Sequence, residues 1–597
     1  MRSGIFVCLA ALAGCLFFSP AEAAAPAAAA VLSPADVARY RVIIADERAG
    51  RFAHADRLIS ELEDTSLLGY VEAERLLSPH SGRAKTAALV TWLRTYRDLP
   101  IAGRVHRLAE RRAVRTVRRH HHRIVVRSAD IPGLPAANHR GGGYEELEQA
   151  ESPVVSNAAR AVNEQISAAV HAGDPDGAAA ALQSLIAANT APPDDIAKLS
   201  RQVCTSYLIE GVDDKAYALG SDAAETGRDA APRLDWCAGL AAFRLKRFDE
   251  AAQHFSVLSA VQSQPETTRA AAAFWAARSF IRAGHPEEAG DLLLFASAQQ
   301  PTFYGLLAGR ILGDGAEAGF ADPSATDEEF ARLMQNAPTH RALALWQVGD
   351  KKYRGYVNAE INRGFGQSAE MNLDVAFAYL ARVMDVPNLE LRASETSAAH
   401  GKMLTGLFPI PQYKPLGGYT VDPALVLAFA RIETRFQTNA VSPAGARGLM
   451  QLMPATARRI GGAGASGDVL LDPAYNLSIG QRYIARLLNV YGGNLIKLGA
   501  AYNAGERRVR MWASLRDGKE NDALMFVESM QAPETRSYVK RLLTYYWMYH
   551  RRDGTPAPSL DEAARGTWPV YHPPVQSAPP PPPRDGGEED EDDDDEE

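Results

Sequence analysis

Cysteine is nearly absent from this sequence, with 4 in 597 residues, and two of these, Cys8 and Cys15, fall within the first 15. The remaining pair, Cys204 and Cys237, is too sparse and too widely spaced for a zinc-binding pattern. Pairing of the two would link neighbouring helical segments in an oxidising compartment, and two buried free thiols are the other reading. Long apolar runs are missing as well. The run from Ile5 to Phe18 falls short of the ~20 residues a membrane span needs, and nothing later comes as close, so no transmembrane segment is expected in the mature chain. A real excess of one charge is also lacking. The formal −8 arises from 64 basic and 72 acidic residues, but eleven of the acids are Asp585 and the unbroken run from Glu588 to Glu597, and without them the body stands at +3. Wholesale nucleic-acid binding is therefore not indicated. Strand-like alternation is scarce, which argues against a β-rich fold.

What is present is an ordinary globular balance, 46% hydrophobic and 23% charged, in a chain long enough for about three to five domains. Residues 1–23 have a charged start, a short apolar core and an Ala-x-Ala site ending at Ala23, the pattern of an export signal. Leu12-Ala13-Gly14-Cys15 offers a second reading, lipid anchoring through Cys15, although Leu16-Phe17-Phe18 prolongs the apolar core instead of starting a polar tether. Residues 24–127 read as a helical region with apolar positions such as Val37, Tyr40, Ile43 and Ile44 at helical spacing. Its end is basic, with nine arginines between 104 and 127 and His120-His121-His122. A His triplet can bind metal and an Arg-rich stretch an anionic polymer, but a solvated helix running into a linker at 128–154 is the simpler expectation.

Residues 155–405 are Ala- and Leu-rich and weakly repetitive: Gly239 and Ala251-x3-Phe255 in one unit, Ala289-x3-Leu293 in the next, with the alanines 38 residues apart. Small residues at such positions let two helices approach while the large one fills the groove, as in tetratricopeptide-like α-solenoids. Pro409, Pro411, Pro415 and Gly417-Gly418 mark a linker at 406–419, and a compact domain is expected at 420–555. The tail 556–597 combines Pro579–Pro583 with the acidic run and cannot bury enough apolar area to fold.

Asp422-Pro423 starts a helix, because Asp caps a free amide and proline loses nothing at the first position. Apolar residues follow on nearly every side, and near the end stands Glu433. Desolvation and the negative end of the helix dipole both raise the pKa of a carboxyl there. A protonated acid near neutral pH is what a general acid at a glycosidic oxygen requires.

Ser442-Pro443-Ala444-Gly445-Ala446-Arg447-Gly448-Leu449-Met450-Gln451-Leu452-Met453-Pro454 begins nine residues after Glu433. Ala501-Tyr502-Asn503-Ala504-Gly505 and Glu534-Thr535-Arg536-Ser537-Tyr538-Val539 follow, with Asp472-Pro473 and Asn476 opening the helix between. These four blocks in order resemble the soluble lytic murein transglycosylases, whose catalytic domain is goose-lysozyme-like. Trp92-Leu93-x2-Tyr96-x-Asp98-Leu99-Pro100 is similar to the family's superhelical part. The family places a hydroxyl residue, usually Ser, after its catalytic Glu, and Thr434 keeps the hydroxyl.

The resemblance implies a mainly all-α protein, an N-terminal α-solenoid with a C-terminal lysozyme-like α+β catalytic domain. It implies Glu433 as sole acid/base and Ser442, Gln451, Met453, Tyr502, Asn503 and Glu534 as groove or supporting residues. It further implies cleavage of peptidoglycan glycan strands with 1,6-anhydromuramic acid ends, a periplasmic location, and no metal or organic cofactor. Other cell-wall enzymes are possible partners of the solenoid. Two rivals remain: a hydrolytic muramidase using a second carboxylate such as Glu506, Asp468 or Asp472, and an inactive murein-binding scaffold.

Overall fold

The computed structural model describes residues 30–81, 85–119, 122–127, 155–313, 319–368, 372–515 and 522–574. The export signal with Cys15, His120 and His121, the 128–154 linker, and the polyproline and acidic runs lie outside the described residues. Two compact units divide the chain, one formed by Met1–Tyr144 with Gly319–Gln412, the other by Glu145–Ala318 with Tyr413–Glu597. Among the described residues no helix is long and apolar enough to cross a membrane.

In the first unit, the Pro34–Ala49, Leu68–Leu77 and Thr86–Tyr96 helices bury Tyr40, Ile43, Tyr70, Trp92 and Leu93 in one core with Leu343, Phe377 and Leu380. The Trp92 indole donates to Gly69 O at 3.0 Å, so the block containing Trp92 pins one helix to the next. Glu360 is fully buried in this unit. Arg341 donates to both its oxygens, at 2.8 and 3.1 Å, and the Tyr70 hydroxyl to one at 2.8 Å. Burial pushes its pKa up and the guanidinium opposes the shift.

The Arg/His-rich stretch differs from its expected solvated helix. Val114–Arg119 and His122–Arg127 pair as an antiparallel ribbon with Val114 opposite Arg127. Val114, Thr116 and Val117, with Ile124, Val125 and Val126, supply β-branched residues that favour extended backbone. The charge of the intervening arginines hides that preference from a composition-based reading.

In the second unit, helices from Arg160–Ala172 to Phe303–Ile311 each pack on their neighbours in sequence. The Gly239 and Phe255 pair behaves as the repeat predicts: a Cβ at Gly239 would lie 2.8 Å from the Phe255 ring, so only glycine admits that buried ring. A disulfide joins Cys204 of the Pro193–Glu210 helix to Cys237 of the Leu234–Arg244 helix. This array is fastened to the C-terminal helices. Arg278 donates to both oxygens of Asp522, at 2.6 and 3.1 Å, while Asp522 caps the Ala523–Glu528 helix. Phe303 stacks on Trp547 at 5.6 Å, and the Tyr304 hydroxyl donates to buried Glu528, which also receives Lys540 Nζ at 3.0 Å. Described extended pairing among the C-terminal helices is limited to isolated bridges, such as Val441 with Arg447 and Arg447 with Leu452.

Candidate active site

The Pro423–Thr434 helix begins as the sequence suggests, with Asp422 Oδ1 accepting from Ala424 N at 2.9 Å. Leu425, Val426, Ala428 and Phe429 are buried, so one turn after another is anchored in the domain. The helix stops abruptly because Arg435 and Phe436 take φ of 51° and 65°, a strained left-handed pair that turns the chain just past the acid. Phe436 is itself buried, which holds this turn in place. The helix packs on Pro533–Arg552, and that contact brings Tyr538 to Glu433: the phenol donates to Glu433 Oε1 at 2.6 Å.

Glu433 is only partly exposed. Burial pushes its pKa up to about 7; the Tyr538 hydrogen bond and the Arg541 charge oppose this, and the Glu534 charge adds to it. Near neutral pH the carboxyl therefore populates both its acid and its base form, as a group that must donate and then accept a proton requires. Tyr502 stands beside it, 4.4 Å from the Phe429 ring and 5.2 Å from Tyr483, and donates to Met450 O at 2.8 Å. Burial, with the nearby Glu433 charge second, holds the Tyr502 and Tyr538 phenols well above their usual range, so both remain neutral donors.

The run after the acid forms a tight double turn. Ser442 Oγ accepts from Ala446 N at 3.0 Å, so this hydroxyl closes the turn. Gln451 has φ 43° and its amide donates back to Gly448 O at 3.0 Å and Ala440 O at 3.3 Å. Asn476, fully buried, ties the same run down: its oxygen accepts from Met450 N at 2.8 Å and its amide donates to Arg447 O and Leu470 O at 3.0 and 2.8 Å. Gly448 has φ 71°, and a Cβ there would fall 2.1 Å from Leu470 O, so the turn requires glycine. Thr434 Oγ1 lies 2.8 Å from Leu449 O, which makes the hydroxyl after the acid a link between helix and turn.

Around Glu433 the structure gathers Glu534, whose charge raises the Glu433 pKa, and Tyr502, whose neutral phenol feels the Glu433 charge. Asn503 bridges to the Pro533–Arg552 helix, accepting from Thr535 Oγ1 at 2.6 Å, with its amide 3.5 Å from Glu534. Met453 presents its thioether at 43% exposure at the start of the Pro454–Gly461 helix. Ser442 and Gln451 use their polar atoms on the turn itself. Tyr538 is the residue that sequence reasoning passed over, although it stands inside the Glu534 to Val539 block. The carboxylates considered for a hydrolase are engaged elsewhere: Glu506 with Arg486 at 2.7 Å, Asp468 with Arg447 at 2.9 Å, Asp472 as a cap on Tyr475 N. Among the described residues, no group of three or more His, Cys, Asp or Glu is placed to hold a metal ion.

A helical array carrying a lysozyme-like domain, with one desolvated glutamate held by a phenol, defines the class. Residues 413–525 match the transglycosylase SLT domain family, and the relatives similar to this chain are soluble lytic murein transglycosylases. The soluble lytic murein transglycosylase of Escherichia coli K12 is 30% identical over 308 residues, 49% of this chain and 46% of the relative. A putative soluble lytic murein transglycosylase of Haemophilus influenzae is 37% identical over 139 residues, 22% of this chain and 23% of the relative. The alignments thus span less than half the length of these relatives. Two solved structures share the fold. The lytic transglycosylase Slt of Pseudomonas aeruginosa, solved as an inactive glutamate-to-glutamine mutant, has TM-score 0.51 and 21% identity, covering 87% of this chain and 73% of that one. The 70 kDa soluble lytic transglycosylase of E. coli has TM-score 0.50 and 19% identity, covering 90% and 99%.

Proposed function

We propose that this chain is a peptidoglycan lytic transglycosylase that cleaves the β-1,4 bond between N-acetylmuramic acid and N-acetylglucosamine. The observation that carries this reading is Glu433: a partly exposed carboxyl with pKa near 7, bonded by a neutral phenol, with the competing carboxylates paired or capping elsewhere. Glu433 in its acid form donates a proton to the linking oxygen, and the bond to the anomeric carbon breaks. The substrate's own acetamido group stabilises the positive charge that develops there. Glu433, now a base, takes the proton from the 6-hydroxyl of the same muramic acid, whose oxygen closes on the anomeric carbon as a 1,6-anhydro ring. No water is consumed. The tethered hydroxyl outcompetes solvent through its high effective concentration, provided the groove holds the sugar in place.

Tyr538 orients the Glu433 carboxyl, and Tyr502, in contact with Phe429, fixes the wall beside it. Met453 offers a surface for a sugar ring, Ser442 and Gln451 set the turn that presents it, and Asn503 with Glu534 forms the far edge. The domain 420–555 acts on glycan strands in the periplasm, after export by the first 23 residues. Mass spectrometry of products from isolated murein sacculi tests the reading. Muropeptides ending in 1,6-anhydromuramic acid, lost in Glu433→Gln, are expected. Reducing ends, one water heavier, would replace it with the muramidase, and no release by folded protein with the scaffold.

A further inference from the structure

The two helices that meet at Glu433 are also fastened at their far ends. Pro423–Thr434 and Pro533–Arg552 run antiparallel, since Glu433 meets Tyr538 while Asp422, eleven residues before it, meets Tyr546 and His550, eight and twelve residues after Tyr538. Eleven helical residues rise about 16 Å, and eight to twelve about 12 to 18 Å, so the contacts are the two ends of one seam. Between them the Arg431 guanidinium lies 4.2 Å from the centre of the Tyr545 ring.

Asp422 divides its carboxylate between two tasks. Oδ1 accepts from Ala424 N at 2.9 Å and caps its own helix, whereas Oδ2 accepts from the Tyr546 hydroxyl at 3.1 Å and lies 3.1 Å from His550 Nε2. Asp422 and Tyr546 are both buried. Burial, with the Asp422 charge second, holds the Tyr546 phenol well above its usual range, so it stays a donor. His550 is fixed in turn by the Tyr546 ring, edge-on at 4.7 Å, and by Thr555 Oγ1, 2.8 Å from its Nδ1.

A further segment secures the same end. The Tyr571 hydroxyl accepts from Asp422 N at 2.9 Å, while Tyr571 N donates to Gly493 O at 2.8 Å and Leu495 N to Pro569 O at 3.0 Å. These residues lie beyond 555, where the sequence places an unfolded tail, and with the Pro558–Ala564 helix they belong to the domain instead. Trp568 packs on Phe526 at 5.1 Å, and the Trp547 indole donates to buried Ser559 at 3.0 Å.

Helix capping alone asks for little of this, because a serine side chain caps as well and the Oδ2 contacts add nothing to the first turn. What they fix is the position of one helix along the other. A displacement of ~0.5 Å is enough to degrade a positioned group, and the 2.6 Å bond from Tyr538 to Glu433 crosses the same seam.

We propose that Asp422, Tyr546 and His550 form a register clip that holds Glu433 against Tyr538, which makes the three of them positioning residues acting from the opposite end of the acid's helix. Their part in catalysis rests on the transglycosylase reading, whereas the placing of the carboxyl does not.

The test separates clip from cap. Asp422→Ser keeps an acceptor for the first turn but is too short to reach Tyr546 and His550, and Tyr546→Phe leaves Asp422 in place and removes one donor. Both are made in the full chain, isotope-labelled at the glutamate side-chain carboxyl for NMR, where the Glu433 signal is the one missing from Glu433→Gln. Its titration midpoint is about 7 in the parent, with burial and the Glu534 charge favouring the neutral form and the Tyr538 bond and the Arg541 charge favouring the ionised one. Each clip variant loosens the Tyr538 bond, so the proton affinity of Glu433 is expected to rise at least ~2-fold. The alkaline limb of murein cleavage should move with it, through kcat and with KM unchanged. In a Tyr538→Phe background the same substitutions are expected to leave the midpoint where Tyr538→Phe puts it. An unmoved midpoint in the folded variants overturns the proposal. So does an equal rise with and without the Tyr538 hydroxyl, which assigns the effect to general loosening of the domain. A midpoint that moves as expected in a protein that cleaves no murein would retire the enzymatic reading and leave the clip standing.

Discussion

Glu360 in the first unit and Glu433 in the second are both glutamates removed from water, and a tyrosine hydroxyl donates to each. They differ in what else is present. Glu360 receives two hydrogen bonds from Arg341 and is sealed in the core, so its charge is fixed in place. Glu433 receives one hydrogen bond among the described residues, from a neutral phenol, and keeps part of its surface open. The same desolvation thus yields a structural ion pair where a guanidinium bonds both carboxyl oxygens, and an exchangeable proton where a cation, Arg541, acts on the carboxyl only through its charge. Burial alone does not mark a reactive acid; the second partner decides.

That contrast is breakable in four ways. The largest effect is expected from Glu433→Gln, which keeps the phenol contact but removes the proton: murein cleavage should fall about 10²- to 10⁴-fold, measured as initial release from sacculi, with circular dichroism unchanged. Arg341→Met should do the converse. It leaves a buried carboxylate hydrogen-bonded only by Tyr70, with the Arg363 charge nearby, and should cost about 3–5 kcal/mol of stability, read by urea unfolding, while activity per folded molecule stays at the parent's value.

A subtler test uses proton linkage. Glu433 has a folded pKa of about 7, above its ordinary 4.5, so between those values the native state holds the proton more tightly than the unfolded chain. Stability from this group is highest below its unfolded pKa, falls as pH rises through the folded one, and is level beyond it. Glu433→Gln should therefore be more stable than the parent by about 1–2 kcal/mol at pH 8, after allowance for partial exposure, with the gap closing by pH 4. Parallel melting curves at the two pH values decide it; equal gaps at both would mean the carboxyl is not desolvated. The smallest effect belongs to Tyr538→Phe. Losing the donor that favours the charged form moves the alkaline limb of the pH–rate profile upward, with a loss of about 3- to 10-fold at the optimum. An unmoved limb would deny Tyr538 its positioning role.

Much of the site was readable because it is built from local signals. Asp422-Pro423 and Asp472-Pro473 announce helix starts, and both aspartates cap as expected. Glu433, Tyr502 and Glu534 come together around one point. Tyr538 was harder to see, since an aromatic in the middle of a helix gives no sign of facing a carboxyl 105 residues earlier. The turn roles of Ser442 and Gln451 also depend on which partner each polar atom meets, and spacing does not encode that. The 114–127 ribbon was obscured by arginines, and the shared core of the first unit by distance along the chain: Leu343 and Phe377 complete what Tyr40 and Trp92 begin.

That shared core also sets a timetable. The Tyr70 to Glu360 hydrogen bond closes over 290 residues, so at ~5–20 residues per second of synthesis the first helices wait about 15–60 s for the partners that bury them. The second unit, inserted between the halves of the first, is itself interrupted at Ala318 and resumes only at Tyr413. Neither unit can finish before the chain has left it and come back, so the apolar faces of the early helices stay uncovered until residues 319–412 arrive.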